Sequence, residues 1–361
     1  MTKAIIFGVT GQDGSHLAEL LVEKGYDVVG VARRVSVNTD ERIAHLDSDP
    51  HFSLVTGDIT DAHSVRQVLK EHRDVNEVYN LAAQSHVAIS FKQPGLTWDI
   101  TGKGCLNILE TMRDLDLKAR FYQASSSEMF GAAYDYNKDS DFACCKYQNE
   151  DTKLLPQSPY AIAKCAAHYM TRLFREAYGM HASAGILFNH EGPRRGENFV
   201  TRKITLWLGR YLKWCAKHGV NPQQTVSCNI AEELYISGRV SRDQGFQYPK
   251  LRLGNLEAFR DWGYAGDYVE AMWMMLQQDK PDDYVICTGE THTIREFLDV
   301  AFLHIGIKDW NNYVVIDPEF YRPAEVDYLR GNNTKARINL KWEPKTTFEQ
   351  LVKLMVDHDL K

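Results

Sequence analysis

A tyrosine and a lysine stand one helical turn apart, at Tyr160 and Lys164. Residues at i and i+4 share one face of a helix, so the phenol and the ammonium would lie side by side. A nearby ammonium stabilises the phenolate and lowers the tyrosine pKa toward the range of a general base. Ser158 and Pro159 come just before the pair and predict a helix start with proline in its first turn. This spacing therefore predicts a general base at Tyr160.

Three serines and a glutamate at 125–128 follow a predicted strand that ends at Ala124. Sheets of alternating strands and helices bind their ligands at the carboxyl ends of the strands. A serine placed there can hydrogen-bond an oxygen that is being oxidised. Glu128 adds a second acid/base group, which elimination of water beside a ketone requires and simple alcohol oxidation does not. On position alone, Glu128 is equally typical of a helix start, where the helix dipole favours a carboxylate.

A glycine loop, Gly8-Val9-Thr10-Gly11-Gln12-Asp13-Gly14, lies between an apolar stretch and a helical pattern of leucines. Strand, glycine loop and helix in this order predict a dinucleotide site. Gly8 can take the tight turn, Gly11 lets the backbone approach a pyrophosphate, and Gly14 lets the helix pack close to the strand. The N–H groups at the helix start would face the phosphates. The loop has one residue more than the common G-x-G-x-x-G spacing.

Two arginines and a serine follow the second predicted strand, at Arg33, Arg34 and Ser36. A protein specific for NAD usually has a carboxylate near here for the ribose 2′-hydroxyl, whereas a guanidinium pairs with a 2′-phosphate. The arginines therefore favour NADP, and the alternative is a pair of solvated surface side chains. Asp58 is placed to meet the adenine, and small residues after the fourth strand let the cofactor lie against the backbone. The remaining cofactor contacts expected from these segments are Ile59, Leu81, Ala82, Ala83 and Ser85.

Short apolar strands and amphipathic helices alternate over the first 190 positions. The predicted strands are 4–7, 27–31, 52–56, 77–81, 119–124 and 182–187, and the predicted helices are 64–72, 104–115 and 159–179. This alternation predicts the α/β class, with a Rossmann-type doubly wound parallel sheet. Beyond position 188 the regularity fades, so we expect a smaller C-terminal substrate-binding lobe at 191–361, interleaved with the domain at 1–190. The polar segment 213–250 is expected to be a long loop or a partly helical surface insertion.

Composition excludes several other classes of protein. The 361 residues carry a net charge of −6, which argues against nucleic-acid binding. No apolar run approaches the roughly 20 residues of a membrane span. Because a strand pattern begins at position 4, we expect no signal peptide. The seven cysteines lack the spacing of metal ligands. We therefore expect reduced thiols in a cytoplasmic protein, with no metal site and no nucleic-acid or membrane partner.

Longer sequence motifs indicate a particular protein family. The chain resembles the family of GDP-mannose 4,6-dehydratases, which are extended short-chain dehydrogenases/reductases. The resemblance runs from the first strand to the last helix. Its motifs are YNLAAQSHV at 79–87, FYQASSSE at 121–128, SPYA at 158–161, ILFNHE at 186–191, PRRGE at 193–197, FVTRKI at 199–204, LGNL at 253–256, RDWG at 260–263 and YRPAEVD at 321–327.

The resemblance implies an NADP-dependent elimination of water from GDP-mannose, giving GDP-4-keto-6-deoxymannose. Tyr160 would deprotonate the sugar 4-hydroxyl, Ser126 would hydrogen-bond that oxygen, and Lys164 would hold the nicotinamide ribose. Glu128 would remove the C5 proton and help to expel the C6 hydroxyl. It further implies that the C-terminal lobe binds the GDP-sugar and that the protein is a homodimer or homotetramer. By the same resemblance His190 and Arg195 would touch the cofactor, and Ser85, Asn189, Lys203, Arg260, Arg322 and Glu325 would hold the GDP-sugar.

The sequence departs from the family pattern at several positions. Ser126 replaces a threonine but keeps the hydroxyl, and segment 213–250 is some thirty residues longer than the family needs. The other departures are Val35, Leu96, Gln157 and Gly192. These differences leave open a dehydratase for another GDP-sugar such as a GDP-heptose, or a related epimerase or reductase. A non-catalytic redox sensor or scaffold is a further alternative, which the presence of Tyr160, Lys164 and Glu128 disfavours.

Overall fold

The computed structural model describes residues 1–34, 40–136, 146–223, 248–321 and 324–361. The chain forms two compact units. The first unit comprises Met1–His190, Arg260–Thr291 and Ala324–Thr346, and the second comprises Glu191–Phe259, His292–Pro323 and Thr347–Lys361. Most of the predicted insertion at 213–250 lies outside the described residues. Its role, and which unit binds which ligand, stay predictions.

A parallel sheet of seven strands forms the centre of the first unit. The strands are β1 (Lys3–Phe7), β2 (Asp27–Ala32), β3 (Phe52–Thr56), β4 (Glu77–Asn80), β5 (Arg120–Ser126), β6 (Ala182–Leu187) and β7 (Asp283–Ile286). Their spatial order is β3-β2-β1-β4-β5-β6-β7, with parallel pairing throughout. The order reverses between β1 and β4, and such a switch point opens a crevice for ligands at the carboxyl ends of the strands. The predicted doubly wound sheet is confirmed.

The main helices of the first unit are α1 (Gln12–Glu23), α2 (Ala62–Glu71), α3 (Val87–Lys92), α4 (Gly104–Asp114) and α5 (Pro159–Tyr178). The second unit contributes α6 (Val200–His218). They are followed by α7 (Ala265–Gln277) in the first unit, and by α8 (Ile294–His304) and α9 (Phe348–Leu360) in the second. Shorter helical turns are Asp40–Arg42, Ala44–Leu46, Pro94–Thr97, Trp98–Lys103, Ser127–Met129, Pro318–Phe320 and Ala336–Leu340. Short strands are Asp135–Tyr136, Lys146–Tyr147, Asn189–Glu191, Leu251–Leu253, Phe259–Arg260, Trp262–Tyr264, His292–Thr293 and Val314–Ile316.

Alternate residues of the sheet strands bury into two separate cores. Ile5 and Phe7 pack with apolar residues of α2, α4 and α5, whereas Ala4 and Ile6 pack with residues of α1 and α7. Successive side chains of a strand point to opposite faces, so a sheet covered by helices on both faces needs nearly continuous apolar strands. Both cores together hold the loops at the carboxyl ends of the strands in fixed positions.

The second unit packs α6 against α9. The Arg202 guanidinium lies 2.7 Å from Asp359, and the Thr205 hydroxyl donates to the same carboxylate at 2.6 Å. Gly209 is needed at the contact, because a Cβ there would lie 2.1 Å from the Asp359 carbonyl oxygen. None of the helices in the described ranges is long and apolar enough to cross a membrane.

Candidate active site

The glycine loop brings the start of α1 directly against the end of β1. Gly8 has φ +86°, a left-handed conformation that favours glycine, and a Cβ there would lie 2.8 Å from the Ala82 backbone nitrogen. A Cβ on Gly14 would lie 2.3 Å from the Gly8 carbonyl oxygen. Gly11 precedes α1, and its carbonyl accepts a hydrogen bond from the Ser15 N–H at 3.0 Å. Because its three glycines have no side chains, the loop at 8–14 forms a backbone-lined cradle at the switch point of the sheet. Such a cradle fits the pyrophosphate of a dinucleotide.

Asp13 and His190 join this loop to the segment that follows β6. The His190 Nε2 lies 2.8 Å from the Asp13 carboxylate, and Nδ1 lies 2.7 Å from the Phe188 carbonyl oxygen. Both partners are acceptors, and the ring can donate to both of them only when each nitrogen carries a proton. Gln12 donates to the His190 carbonyl at 3.1 Å, and its own Oε1 is buried without a partner among the described residues. That oxygen is an acceptor that a bound ligand could use.

A pocket of about 360 Å³ lies beside the ends of β2 and β3, and it is lined by Arg33, Arg34, Thr56, Gly57, Asp58, Asp61 and Ser64. The two arginines are exposed. The Asp58 carboxylate accepts hydrogen bonds from the Thr60 N–H and hydroxyl at 2.9 and 2.8 Å, and Asp61 caps α2. Both carboxylates therefore serve local structure, while the guanidinium groups offer positive charge to a phosphate. Ser36 lies outside the described residues.

Hydrogen bonds of Gln84 fix the segment that follows β4. Its amide donates to the Thr97 hydroxyl at 3.2 Å, and its Oε1 accepts from the His86 N–H at 2.6 Å. The Gln84 N–H donates to the Thr101 hydroxyl at 3.2 Å, inside a stretch of wide helical turn at Trp98–Lys103. Such turns occur often at functional sites. The predicted cofactor residues Leu81, Ala82 and Ala83 are half-buried and Ser85 is exposed, whereas Ile59 is buried beside the start of α4.

Tyr160 and Lys164 lie one turn apart on α5, as their spacing predicts. Ser158 caps the helix, since its hydroxyl accepts from the Ala161 N–H at 3.1 Å. The Lys164 Nζ lies 5.8 Å from the centre of the Tyr160 ring and donates to the Ala124 carbonyl at 2.6 Å. Burial lowers the pKa of Lys164 to about 8, although Cys105 and Asp13 oppose the shift. A lysine in this state still carries its charge at neutral pH and can stabilise a phenolate.

Ser126 and Glu128 lie at the end of β5 and in the turn that follows it. The Ser126 hydroxyl accepts from the Glu128 N–H at 3.3 Å and caps the turn Ser127–Met129. Both side chains are buried. Because Lys164 is bonded to Ala124, two residues before Ser126, the structure brings the Tyr-Lys helix and the Ser-Glu turn into one part of the first unit.

Two predicted substrate residues of the first unit contact each other. The Arg260 guanidinium is buried and lies 2.8 Å from the Glu325 carboxylate. Asn189 keeps a buried Oδ1 without a partner among the described residues, which leaves an acceptor for a ligand. Arg322 lies outside the described residues.

Two further predicted residues belong to the second unit. Arg195 lies 3.0 Å from the buried Glu191 carboxylate and stacks on Phe199 at 3.6 Å. Lys203 lies 3.5 Å from the centre of the Phe320 ring, and its pKa is lowered by burial and by the nearby Arg252. Their roles toward ligands stay predictions.

Three residues near the site have contacts that the sequence does not predict. The Arg42 guanidinium donates to the Thr10 carbonyl at 3.1 Å and brings a positive charge to the glycine loop, and no spacing in the sequence signals this contact. Gln84 belongs to the motif at 79–87, but the motif alone predicts no role for its side chain. Asp261, next to Arg260, accepts from the Thr288 hydroxyl and from three backbone N–H groups. Burial raises the pKa of Asp261 to about 6.

Comparison of the sequence with known proteins identifies its family. A family model described as GDP-mannose 4,6 dehydratase matches residues 5–217 and 231–355. GDP-mannose 4,6 dehydratase 1 of Arabidopsis thaliana is 48% identical over 367 residues, covering 99% of this chain and 89% of the relative. The GDP-mannose 4,6 dehydratase of Homo sapiens is 42% identical over 381 residues, with 99% and 91% covered.

Solved structures share the fold at lower identity. A UDP-glucose 4-epimerase from Thermotoga maritima has a TM-score of 0.76 at 24% identity, covering 99% of this chain and 98% of its own. A dTDP-glucose 4,6-dehydratase from Bacillus anthracis has a TM-score of 0.74 at 19% identity, with 99% and 96% covered. Since the family model and the curated relatives span nearly the whole sequence, the chain belongs to the GDP-mannose 4,6-dehydratase family.

Proposed function

We propose that the protein converts GDP-mannose to GDP-4-keto-6-deoxymannose by eliminating water, with NADP as its cofactor. The observation that carries the proposal is the hydrogen bond from Lys164 to the Ala124 carbonyl. It joins the helix that bears Tyr160 to the strand that ends in Ser126. Membership of the dehydratase family supplies the substrate class.

The glycine loop at 8–14 and the pair Arg33 and Arg34 would hold NADP, which would supply reversible hydride acceptance between the sugar C4 and C6, so that the reaction has no net oxidation. The glycine cradle and the pocket beside Arg33 and Arg34 support this choice of cofactor. The residues that we propose for the cofactor are Gly8, Thr10, Gly11, Gln12, Asp13, Gly14, Arg33, Arg34, Ser36, Asp58, Ile59, Leu81, Ala82, Ala83, Ser85, Lys164, His190 and Arg195.

Tyr160 acts first, as the base that takes the proton from the sugar 4-hydroxyl. The Lys164 ammonium stabilises the phenolate electrostatically, and its anchor on the Ala124 carbonyl fixes its position. Ser126 donates a hydrogen bond to the 4-oxygen while that oxygen becomes a carbonyl.

Glu128 then carries the proton chemistry of the elimination. The new 4-carbonyl acidifies the C5 proton, which Glu128 removes as a general base. The same carboxyl group then protonates the departing C6 hydroxyl, and water leaves. When a hydride adds at C6, C5 takes a proton from solvent, which balances the proton that Tyr160 removed from the 4-hydroxyl. We propose that the GDP-sugar is held by Ser85, Asn189, Lys203, Arg260, Arg322 and Glu325.

Incubation with GDP-mannose and NADP tests the function directly. We expect a 4-keto product that absorbs in alkali, lighter than GDP-mannose by one water, without net formation of NADPH. Steady accumulation of NADPH would identify a dehydrogenase, and an epimeric product of unchanged mass would identify an epimerase. Faster turnover of a GDP-heptose would shift the substrate assignment within the same chemistry.

Replacing the two arginines beside the pocket should weaken NADP selectively. We expect Arg33→Ser combined with Arg34→Ser to raise the Kd for NADP by roughly 10²- to 10⁴-fold, since charge-assisted hydrogen bonds contribute about 1.5–3 kcal/mol each. The Kd for NAD should barely change, because NAD lacks the 2′-phosphate. Isothermal titration with both cofactors, in the absence of sugar, measures the two constants.

Arg66 on α2 offers a matched control, because it is an exposed arginine outside the pocket lining. Arg66→Ser should leave both constants unchanged. Equal affinities of the unmodified protein for NADP and NAD would contradict the assignment of the arginine pair.

We also propose that the protein assembles as a homodimer or homotetramer. Ile162, Tyr169 and Leu173 are large apolar residues exposed on α5, at spacings that place them on one face of the helix. A contiguous exposed apolar face is typical of an interaction surface, and a second copy would cover it with the same face. Light scattering should give two or four times the chain mass of 41.3 kDa. A mass of one chain would contradict this proposal.

A cytoplasmic location is the last part of the proposal. Cys105, Cys215 and Cys287 are buried free thiols, which is typical of proteins in reducing compartments. Fractionation of the source cells tests it.

A further inference from the structure

A second contact between α5 and β5 lies one helical turn beyond Lys164. The His168 Nδ1 is 3.1 Å from the Ser125 hydroxyl, and both side chains are buried. Lys164 binds the Ala124 carbonyl at 2.6 Å. Two residues spaced i and i+4 on the helix are thus bonded to two consecutive residues of the strand.

The far side of the imidazole faces an ion pair. The His168 Nε2 lies 4.0 Å from the Asp283 carboxylate, which is itself bonded by both Nη atoms of Arg175 at 2.9 and 2.7 Å. Burial lowers the pKa of His168, so the ring is neutral at neutral pH. A neutral ring is most favourable with its proton on Nε2, toward the carboxylate, which leaves Nδ1 to accept the Ser125 proton.

This arrangement of serine, histidine and aspartate is not a hydrolytic triad. The 4.0 Å separation between the His168 Nε2 and the Asp283 carboxylate exceeds a hydrogen bond, and Asp283 is already committed to Arg175. Ser125 and His168 therefore fix the position of β5 on α5, and Ser125 does not act as a nucleophile.

The hydrogen bond between Ser125 and His168 lies near a proposed catalytic residue on both β5 and α5. Ser125 precedes Ser126, and His168 follows Tyr160 by two turns of the same helix. A shift of about 1 Å between reacting groups can cost on the order of 100-fold in rate. We propose that His168 is a positioning residue that, by accepting the Ser125 hydrogen bond, fixes the Ser126 hydroxyl relative to the Tyr160 phenol.

The proposal rests on the dehydratase function, and two substitutions of His168 test it. His168→Phe removes the acceptor and keeps a ring. His168→Asn keeps an acceptor, because the asparagine Oδ1 occupies nearly the same place as Nδ1. We expect kcat on GDP-mannose to fall roughly 10- to 100-fold in the first variant. The second should recover most of the loss, and KM should stay unchanged in both.

Ser125→Ala tests the other end of the bond and perturbs packing very little. Its kcat should fall as far as that of His168→Phe, and the double variant should fall no further, since both changes remove one interaction. If His168→Phe does not fold, the kcat of Ser125→Ala alone tests the proposal.

Three results would overturn the positioning role. They are a parental kcat in Ser125→Ala, a loss in His168→Asn as large as in His168→Phe, or additive losses in the double variant. A rise in KM that accounts for the whole effect would place His168 in substrate binding instead. Failure of the unmodified protein to convert GDP-mannose is a separate outcome, which would overturn the function and with it this assignment.

Discussion

Replacing Glu128 by glutamine should prevent the elimination of water from GDP-mannose but still allow oxidation of the sugar at C4. A glutamine side chain is nearly isosteric with the carboxylate but can neither take the C5 proton nor return one to the C6 hydroxyl. General acid–base catalysis contributes about 10²- to 10⁴-fold, so we expect kcat for the 4-keto-6-deoxy product to fall by roughly 10³-fold in Glu128→Gln. A slow 4-oxidation should remain, because Tyr160 and Lys164 are unchanged.

Mass spectrometry of a single turnover separates the two steps. The variant should yield a 4-keto sugar that retains its 6-hydroxyl, whereas the parent yields a product that has lost one water. Glu150→Gln is a matched control: Glu150 is a half-buried carboxylate that accepts from the Val285 N–H at 2.7 Å, and a glutamine oxygen can keep that bond. Dehydration by Glu128→Gln at the parental rate would remove Glu128 from the mechanism.

The local pattern of the sequence was sufficient for most of the sheet. Strands 52–56 and 182–187 have the predicted bounds, and the first, second, fourth and fifth strands differ only at their ends. Strands buried on both faces give short continuous apolar runs, which are easy to recognise between amphipathic helices. β7 was missed, because a strand of only four residues beyond position 260 gives too short an apolar run to stand out.

The catalytic helix was predictable because its signals are local. Ser158, Pro159, Tyr160 and Lys164 all lie within two turns, and the cap, the first proline and the shared face follow from spacing alone. The contact between Lys164 and Ala124 joins residues 40 positions apart. No periodicity encodes such a contact, which depends on how α5 packs on the sheet.

Polar contacts between residues far apart in the sequence were the part of the site that was hardest to predict. Arg260 and Glu325 were each expected to hold the substrate, and the structure pairs them with each other across 65 positions. His190 was expected to touch the cofactor, and its two nitrogens engage Asp13 and the Phe188 carbonyl. A motif identifies such residues as a group, but only the packed fold determines their partners.

Tyr160→Phe should nearly abolish turnover while leaving the protein folded. The substitution deletes one oxygen from a buried side chain and keeps its ring, so α5 and its contacts should persist. Without the phenol, no group on this helix face takes the 4-hydroxyl proton, because Lys164 is positively charged at neutral pH and donates to Ala124. We expect kcat to fall by roughly 10³-fold, within the usual contribution of a general base.

Tyr178→Phe provides the matched control, because Tyr178 lies at the end of the same helix and is 51% exposed. It should keep the parental kcat and unfold at the parental temperature. Binding of NADP, measured by titration, should stay unchanged in both variants, which separates loss of the base from loss of the cofactor. Since loss of Tyr160 blocks the step before C5 is acidified, Tyr160→Phe should also fail to exchange the C5 proton with deuterated solvent. Exchange at the parental rate, or a kcat equal to that of Tyr178→Phe, would show that another group removes the hydroxyl proton.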